Sequence, residues 1–576
     1  MTAASAHLPG VLDPEDTTVA EVHVPRRDDL ASSLAARAAI SAAAAAALAA
    51  CGGGSEDPDA PISPEMLPAD DAQAARFLQQ AQFSSTPAEI KRVRDLGYGG
   101  WLDIEMSRPV SITGWDWLVS QGYNNSDKRY DSSLTDAMVW NQLMTAPDAL
   151  RKRLALAWSE IMVVSANEVS TESPGFAMAA YWDVLNKHAF GNYRDLLRAI
   201  TLNPAMGMYL NTKGNKGENP KTGSQPDENY AREVMQLFTI GLYQLNMDGT
   251  HMLGAGGQPV ETYTTEDVSN LARVFTGYDL DTTGHVQDTN PVKLRNPMAF
   301  NSKNHSTVDA TFLGTTISGS TPGPKALDTA LDTLFNHPNT APFIARQLIQ
   351  RLVMSNPSPA YIGRVAATFA NNGNGRRGDL AAVTRAVLLD PEARANPTPD
   401  TLGKLREPMV RWVQWARTFG ATSTDGKWAV GNKSDASSAL GQSPLRSPSV
   451  FNYFRPGYVP PNTQLATNNL VAPEFQVTNE SSVAGYLNFM QTAVSTGVSK
   501  IAVADGYPTE IALADNPQAL VNRLNLLLAA GQLSSTTMQV ISDAIGSIKA
   551  DDKGKKNRVY AAIFMTMCCP EYLVLK

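Results

Sequence analysis

Charged and amide side chains interrupt an otherwise apolar helical stretch near the middle of the chain. The stretch from 228 to 241 reads Glu-Asn-Tyr-Ala-Arg-Glu-Val-Met-Gln-Leu-Phe-Thr-Ile-Gly. On a helix, Glu228 and Arg232 lie four apart on one face, and Asn229, Glu233 and Gln236 form a neighbouring stripe. Buried charge is costly unless it is paired. The pattern therefore predicts either a ligand site or a satisfied internal network.

Both interpretations use residues of the following segments. In the first, Glu228, Glu233, Asp267 and His305 act as acid/base groups or bind a divalent metal. Asn229, Gln236 and Arg273 then complete the binding site, and Arg232 orients a carboxylate. In the second, the same groups form a buried network with Asp267, Asn270 and Arg273 of the next helix.

Common catalytic signatures are mostly absent from the sequence. It has no His-Glu-x-x-His, no Cys-x-x-Cys, no Gly-x-Ser-x-Gly elbow and no phosphate loop. Residues 373–378 match the dinucleotide-binding pattern, but they follow a helical segment, and Asp379 is predicted to cap the next helix. Histidine is scarce, which makes His305 the most notable imidazole.

The combined motifs resemble a large bacterial family known as domain of unknown function 1800. The resemblance rests on these segments in family order: Arg76-Phe77-Leu78, Trp158, Asn203-Pro204-Ala205-Met206, Glu228 to Gly241, Tyr263 with Glu266-Asp267-Val268, Ala272-Arg273, Thr276-Gly277, His337-Pro338, Lys404 with Arg406 and Pro408, and Pro570-Glu571-Tyr572. Membership implies an exported protein, often encoded beside an exported partner that resembles alkaline phosphatases and sulfatases. The family has no generally assigned reaction.

Two departures from the family pattern affect the predicted chemistry. Many relatives carry a Trp-His-Asn-His-like run where this chain has Trp158-Ser159-Glu160-Ile161, and Ser306 stands where an Asp is expected after the histidine. Glu160 could still supply an oxygen ligand or an acid/base group. The missing imidazoles weigh against a histidine-based metal site.

The N-terminal residues 1–51 are predicted to be an export signal. Arg26-Arg27 precede the apolar run Ala38 to Ala50, and Leu48-Ala49-Ala50-Cys51 matches a bacterial lipobox. Cys51 is then the lipidated anchor, and residues 52–70 form a flexible tether. Gly52 after the anchor resembles signals sorted to the outer membrane. An Ala-rich helix with a chance Cys is the alternative, and general and twin-arginine export both stay open.

Composition limits the class of partner. The 576 residues are 43% apolar and 18% charged, and the net charge is −8. The sequence has no Lys/Arg-rich run, so no nucleic acid partner is expected. Beyond the signal, no stretch reaches the length that a membrane span requires, and attachment by lipid alone is predicted.

The periodicity predicts a mainly α fold. Residues 71–576 are expected to form one large multi-helix domain, with a small β-hairpin after the 228–241 helix. Long irregular loops are expected as insertions near 279–324, 421–444 and 455–482. Cys568 and Cys569 are expected to be small buried side chains, with a vicinal disulfide or a reactive pair as the alternatives.

Two function classes remain open from the sequence. One is an exported, lipid-anchored protein at the envelope or cell surface that acts with a secreted partner as a binding or scaffold protein. The other is an exported hydrolase with a carboxylate-rich, possibly metal-dependent site on the 228–241 helix. An enzyme should place these groups around an open cleft, whereas a scaffold should pair them internally beside an apolar surface patch. The lost imidazoles favour the scaffold.

Overall fold

Helices dominate the computed structural model of the chain, which describes residues 66–125, 128, 130–286, 289–395 and 403–576. The described residues lie in one compact unit that spans Pro61–Lys576. The predicted export signal, the anchor Cys51 and the tether as far as residue 65 lie outside the described residues. Their boundaries stay predictions.

The first half of the described chain is mainly helical. They are α1 (Asp71–Ala81), α2 (Pro87–Ser107), α3 (Gly114–Ser120), α4 (Ser133–Thr145), α5 (Ala149–Ile161), α6 (Pro174–His188), α7 (Tyr193–Thr201), α8 (Pro204–Tyr209), α9 (Asn229–Glu233) and α10 (Thr265–Val274). Several begin at side-chain caps. Thr86 and Glu89 close a capping box at α2, which satisfies otherwise unpaired amide groups.

The second half continues the helical pattern. Its helices are α11 (Gly323–Asn336), α12 (Thr340–Leu352), α13 (Pro359–Ala370), α14 (Leu380–Leu389), α15 (Pro391–Arg394), α16 (Pro408–Phe419), α17 (Gln464–Thr467), α18 (Glu480–Ser495), α19 (Pro508–Ala512), α20 (Pro517–Ala529), α21 (Ser535–Gly546), α22 (Asp552–Cys568) and α23 (Pro570–Leu573). Asp379 caps α14 as predicted. The mainly α fold class is confirmed.

Strand structure is limited to short antiparallel pairs in the described part of the chain. β1 (Tyr278–Asp279) pairs with β2 (Ala299–Phe300), β3 (Ala310–Phe312) with β4 (Thr315–Ile317), β5 (Lys404–Leu405) with β8 (Val574–Leu575), and β6 (Thr422–Ser423) with β7 (Ile501–Ala502). The β5–β8 pair joins the chain near residue 404 to its last residues. The first two pairs lie between residues 278 and 317, mostly within the segment 279–324 where the composition predicts a loop insertion with short strands or loops.

The core is built mainly from large side chains on facing helices. Trp140 of α4 packs edge-on against Trp412 of α16 with ring centroids 4.7 Å apart, and Trp412 meets Phe489 of α18 at 5.0 Å. Each of the three aromatic side chains is buried. Burial of large aromatic rings supplies much of the hydrophobic free energy of folding. Within the described residues, no helix has the length and apolar character needed to cross a bilayer.

The 228–241 signature differs from a regular helix. After α9 the chain continues as a π-helical turn (Val234–Thr239), in which the amides of Ile240 and Gly241 both donate to the carbonyl of Met235. Gly241 ends this turn with a φ of 70°, a conformation that favours glycine. The wider π turn changes the angular position of Gln236 relative to the stripe predicted from α-helical spacing.

The predicted hairpin follows immediately, and residues 242–262 are called the prong. It lies against the start of α12 and against α13, since the amide of Leu245 donates to Asn339 and a Cβ added at Gly249 would lie 2.9 Å from Ile362. Antiparallel bridges join Tyr243 to Glu261, Leu245 to His251 and Leu253 to Pro259. The prong consists of these isolated bridges and tight turns, without continuous strands. Backbone hydrogen bonds hold it in shape, since the amide of Gln244 donates to Val260 and that of Met252 donates to Gln244.

Candidate functional site

The signature glutamate Glu228 is joined to the neighbouring helix α10. Its carboxylate lies 3.2 Å from the guanidinium of Arg232, one helical turn further along, and it accepts a hydrogen bond from Ser269 of α10. The amide of Asn229 donates to Asp227 at 2.9 Å, which fixes the start of α9. Glu228 and Arg232 are half-buried. These contacts position α9 on α10 and use both oxygens of Glu228.

Glu233 occupies a more apolar position. Its side chain is 7% exposed, and Oε2 has no hydrogen-bond partner in the described part of the chain. Burial raises the pKa of Glu233, and the nearby positive charge of Arg232 opposes this change. The hydroxyl of Tyr263 lies 3.5 Å from Oε1 of Gln236 on the next turn.

Asp267 stabilises the N-terminus of α10. Its Oδ2 accepts hydrogen bonds from the amide and hydroxyl of Thr264, which completes a capping box. Its Oδ1 accepts from the amide of Leu313 at 2.8 Å, which ties the β3–β4 turn to the helix. Partial burial favours the neutral acid, but these hydrogen bonds outweigh it and lower the pKa of Asp267.

Arg273 of α10 begins a chain of polar contacts. Its Nε lies 2.6 Å from Oε1 of Glu218, and its Nη1 donates to Asn270 and to the carbonyl of Asp309. Glu218 in turn accepts a hydrogen bond from the hydroxyl of Ser306 at 2.6 Å. Three distant segments thereby meet around one carboxylate.

His305 is attached to the same group of contacts by its Nδ1 atom. This nitrogen lies 2.9 Å from the carbonyl oxygen of Thr276 and 3.1 Å from its hydroxyl. The hydroxyl of Thr276 donates to the carbonyl of Arg273, so Nδ1 must carry the proton that reaches the Thr276 carbonyl. In the neutral imidazole with this tautomer, the lone pair is on the other nitrogen, Nε2.

A polar pocket of about 400 Å³ opens beside these residues. It is lined by Lys216, Gly217, Glu218, Asn219, Pro220, Ser224, Lys303, Asn304, His305, Ser306, Thr307 and Val308. Lys216 and Lys303 are exposed, whereas Ser306 is a buried part of the pocket wall. Of the four predicted catalytic residues, His305 lines this pocket, and Glu228, Glu233 and Asp267 are not among its lining residues.

The pocket keeps Glu218 ionised. Partial burial favours the protonated acid, but hydrogen bonds from Ser306 and Arg273 outweigh it and lower the pKa of Glu218. Ser306 donates its proton to Glu218 and not to His305, so the pocket lacks the serine–histidine contact of a nucleophilic triad. Its chemistry is that of a polar binding site with one available imidazole nitrogen.

A comparison with protein-family models matches residues 76–574 to the family described as "Protein of unknown function (DUF1800)". The chain belongs to the DUF1800 family. Searches of curated proteins and of solved structures gave no match. Family membership therefore explains the signature motifs but brings no reaction with it.

The predicted binding residue Glu160 of this DUF1800 chain lies in the protein interior. Its carboxylate is 3.0 Å from Nε of Arg351 on α12, and both side chains are almost fully buried. Burial raises the pKa of Glu160 well above its usual range, and the nearby carboxylate of Glu407 adds to the effect. Glu160 is therefore placed in the packing between helices and not in the His305 pocket.

A metal centre would need several ligands grouped together. Among the residues that the structure describes, no group of three or more His, Cys, Asp or Glu side chains is arranged to hold a metal ion. Cys568 and Cys569 are both free and partly buried, and burial raises the pKa of the Cys568 thiol to about 12. A reactive thiol pair is not indicated, since the thiolate is the reactive form.

Sequence reasoning missed Glu218, Lys216 and Lys303 as pocket residues. Glu218 and Lys216 lie in a loop rich in Gly, Asn and Lys whose composition is typical of any surface turn. Two sequence features could have pointed to the pocket. One is the carboxylate of Glu218 in a loop that contains lysines, and the other is Ser306 at a position where the DUF1800 pattern has a charged residue. Neither feature reveals by itself that the two segments touch.

Proposed function

We propose that this protein is an exported, lipid-anchored binding protein that docks a secreted protein through the 242–262 prong. The supporting observation is the apolar surface of the prong. Leu242, Tyr243, Met247, Met252 and Leu253 are exposed large apolar side chains, and Leu253 is 63% exposed. Soluble proteins rarely cluster such residues at the surface unless that surface binds something.

The use of the signature residues supports the same proposal. Glu228, Asp267, Arg273 and Glu160 are engaged in internal pairs or caps that hold helices together. Such pairing is the arrangement expected of a scaffold, in which polar groups specify one packing of the helices. The prong follows the signature directly, so a rigid signature segment would hold the prong in a fixed orientation.

The proposed partner is an exported protein of the alkaline phosphatase and sulfatase class, the class implied by the family resemblance. Its contact surface should be apolar with a polar rim, because an apolar prong binds best to a surface from which it displaces water. Tyr243 and Met side chains suit such a contact, since both types are enriched at protein interfaces.

Site-specific photo-crosslinking in the producing cell tests this proposal. A photo-crosslinking amino acid at Leu253 should capture one exported protein of the proposed class. The same group at Val540, which is 58% exposed on α21, is the matched control and should not capture it. Leu253→Asn should weaken complex formation about tenfold or more, and Val540→Asn should leave it unchanged. Equal capture from both positions would reject docking through the prong.

Lipid attachment has its own experiment. Cys51→Ala should abolish incorporation of labelled fatty acid and release the protein from the membrane fraction, because the lipobox thiol receives the lipid. Cys569→Ala is the control and should leave labelling unchanged. Persistent labelling of Cys51→Ala would reject the anchor.

The His305 pocket supports one alternative, an exported hydrolase. Nε2 of His305 could accept a proton from a water molecule, and the exposed Lys216 and Lys303 would favour an anionic substrate. Activity of the purified protein towards anionic esters, lost in His305→Gln and kept in His337→Gln, would establish this alternative. Absence of activity in the wild type would leave the binding proposal.

A further inference from the structure

A second, much smaller cavity lies where α1, α5, α16 and the β5–β8 pair meet. It has a volume of about 20 Å³, which is room for roughly one water-sized particle. Its polar lining comes from Gln79, Arg153, Lys404, Arg406, Glu407 and Gln414. This cavity is separate from the His305 pocket and shares no lining residue with it.

Two arginines in this lining are buried without a close carboxylate partner. Arg153 and Arg406 are 3% and 5% exposed. Nη2 of Arg153 donates to the carbonyl of Arg351 at 2.6 Å, and Nη1 of Arg406 donates to Oε1 of Gln79 at 2.8 Å. Their remaining donors have no acceptor within the described chain, namely Nε and Nη1 of Arg153 and Nε and Nη2 of Arg406.

A guanidinium group in this situation carries a large desolvation penalty. Burial lowers the pKa of Arg406 to about 10, which leaves the side chain charged at neutral pH. The ring of Tyr572 lies 4.9 Å from the Arg406 guanidinium and contributes a cation–π contact. That contact does not supply a hydrogen-bond acceptor for Nε and Nη2.

The third cation, Lys404, has carboxylate partners, unlike the two arginines. Its Nζ lies 3.0 Å from Glu474 and 3.8 Å from Glu407, and it donates to the carbonyl of Arg351. Glu407 is the one carboxylate among the lining residues. Its Oε2 accepts a hydrogen bond from Gln442 at 2.6 Å, and its Oε1 lies 3.8 Å from Nζ of Lys404 and has no hydrogen-bond partner in the described part of the chain. The lining thus contains three cations and one anion.

The charged groups that are bonded to this lining do not restore neutrality. They add the buried pair Glu160 and Arg351, the carboxylate of Glu474, and Arg411, whose Nε donates to the carbonyl of Arg406. Counted with the lining, the described groups comprise five cations (Arg153, Arg351, Lys404, Arg406 and Arg411) and three carboxylates (Glu160, Glu407 and Glu474), a net charge of +2. The raised pKa of Glu160 would increase this excess by favouring its neutral form.

We propose that this cavity binds one small monovalent anion of halide size, chloride, through the free N–H groups of Arg153 and Arg406. The cavity has room for about one water-sized particle, and a halide ion is only slightly larger than a water molecule, whereas a tetrahedral oxyanion needs a larger space. A water molecule would accept hydrogen bonds from the arginines but would leave the net positive charge uncompensated. A monovalent anion provides both an acceptor and a negative charge. The site would stabilise the junction between the N-terminal and C-terminal elements of the fold.

Thermal unfolding of the purified full-length chain tests the proposal. Sodium chloride and sodium bromide should raise Tm saturably relative to sodium gluconate at equal ionic strength. The expected rise is about 2 °C at a halide concentration near one hundred times Kd. The Arg406→Gln variant should not show this halide-dependent rise in Tm. Arg446→Gln, a buried arginine that is paired with Asp136 elsewhere in the core, should lower Tm but keep the increment.

Two further measurements keep the proposal testable if Arg406→Gln does not fold. Val410→Met should fill the cavity while leaving every charge in place, and it should also lose the halide increment. Crystals of the wild type grown in bromide should show an anomalous peak between Arg153 and Arg406. A Tm that does not respond to halide, or density for water alone in the cavity, would overturn the proposal.

Discussion

The hydroxyl of Ser306 donates a hydrogen bond to Oε2 of Glu218 across 88 residues of sequence, with a distance of 2.6 Å. The same carboxylate pairs with Arg273 through its other oxygen. This contact joins the loop at 213–224, the helix α10 and the segment that follows β2. It is the physical basis of the pocket that contains His305.

Removing this carboxylate should destabilise the protein in a pH-dependent way. The pKa of Glu218 is lowered in the folded state, so its contribution to stability is present above the unfolded pKa and is lost as pH falls through the folded pKa. We expect Glu218→Gln to lower the free energy of unfolding by about 1 to 3 kcal/mol at pH 7. The difference from wild type should shrink below pH 4. Urea unfolding at both pH values measures it, and an equal difference at both would contradict the assignment.

Glu233 should behave in the opposite sense. Burial raises its pKa, so ionisation opposes folding, and its contribution to stability is lost as pH rises from the unfolded pKa through the folded pKa. Glu233→Gln keeps the shape of the side chain and removes this effect. At pH 8 we expect the free energy of unfolding of the variant to equal or exceed that of wild type. At pH 4 we expect the variant to lose this advantage over wild type.

The matched control for Glu233 is Glu228→Gln. Glu228 is paired with Arg232 and Ser269, so its loss should not stabilise the protein at pH 8. Guanidinium chloride unfolding of both variants at pH 4 and pH 8 makes the comparison. A Glu233→Gln variant that is markedly less stable at pH 8 would show that the ionised carboxylate has a stabilising partner.

Local features of this fold were predictable, and the long-range contacts were not. The caps at Thr86, Thr264 and Asp379 follow from residue type and spacing within one turn, and all three occur. The contact between Glu218 and Ser306 depends on the paths of two separate loops. The periodicity of residues along one helix does not predict a tertiary contact between two loops.

The signature itself shows the limit of a helical-wheel argument. Asn229, Glu233 and Gln236 form a stripe only if the helix stays regular, but a π turn begins at Val234. The turn depends on tertiary packing and on the glycine at 241, which the spacing of apolar residues does not indicate. The catalytic roles predicted for Glu228, Glu233, Asp267 and His305 stay predictions.

Asp267 should act as a capping residue. Asp267→Ala removes the capping box with Thr264 and the bond from the amide of Leu313. We expect a loss of about 1 to 2 kcal/mol in the free energy of unfolding. Thr264→Ala should cost a similar amount, and the double variant should cost less than the sum because the two residues share one cap. Strict additivity in urea unfolding would contradict a shared cap.

Gly217 tests whether the close approach of two loops maintains the His305 pocket. A Cβ atom added at Gly217 would lie 2.7 Å from Cα of Ser306 and 2.8 Å from its backbone nitrogen, distances that force the loops apart. We expect Gly217→Ala to lower the free energy of unfolding by about 1 to 3 kcal/mol and to weaken the Ser306–Glu218 hydrogen bond. The control for Gly217→Ala must be a glycine that tolerates a Cβ atom. Gly223→Ala is unsuitable, because Gly223 has a positive φ that disfavours alanine.

Gly256→Ala is the better control, since nothing lies near its added Cβ and its φ is not positive. Equal unfolding midpoints for the Gly217 and Gly256 variants would show that the two loops have room to separate.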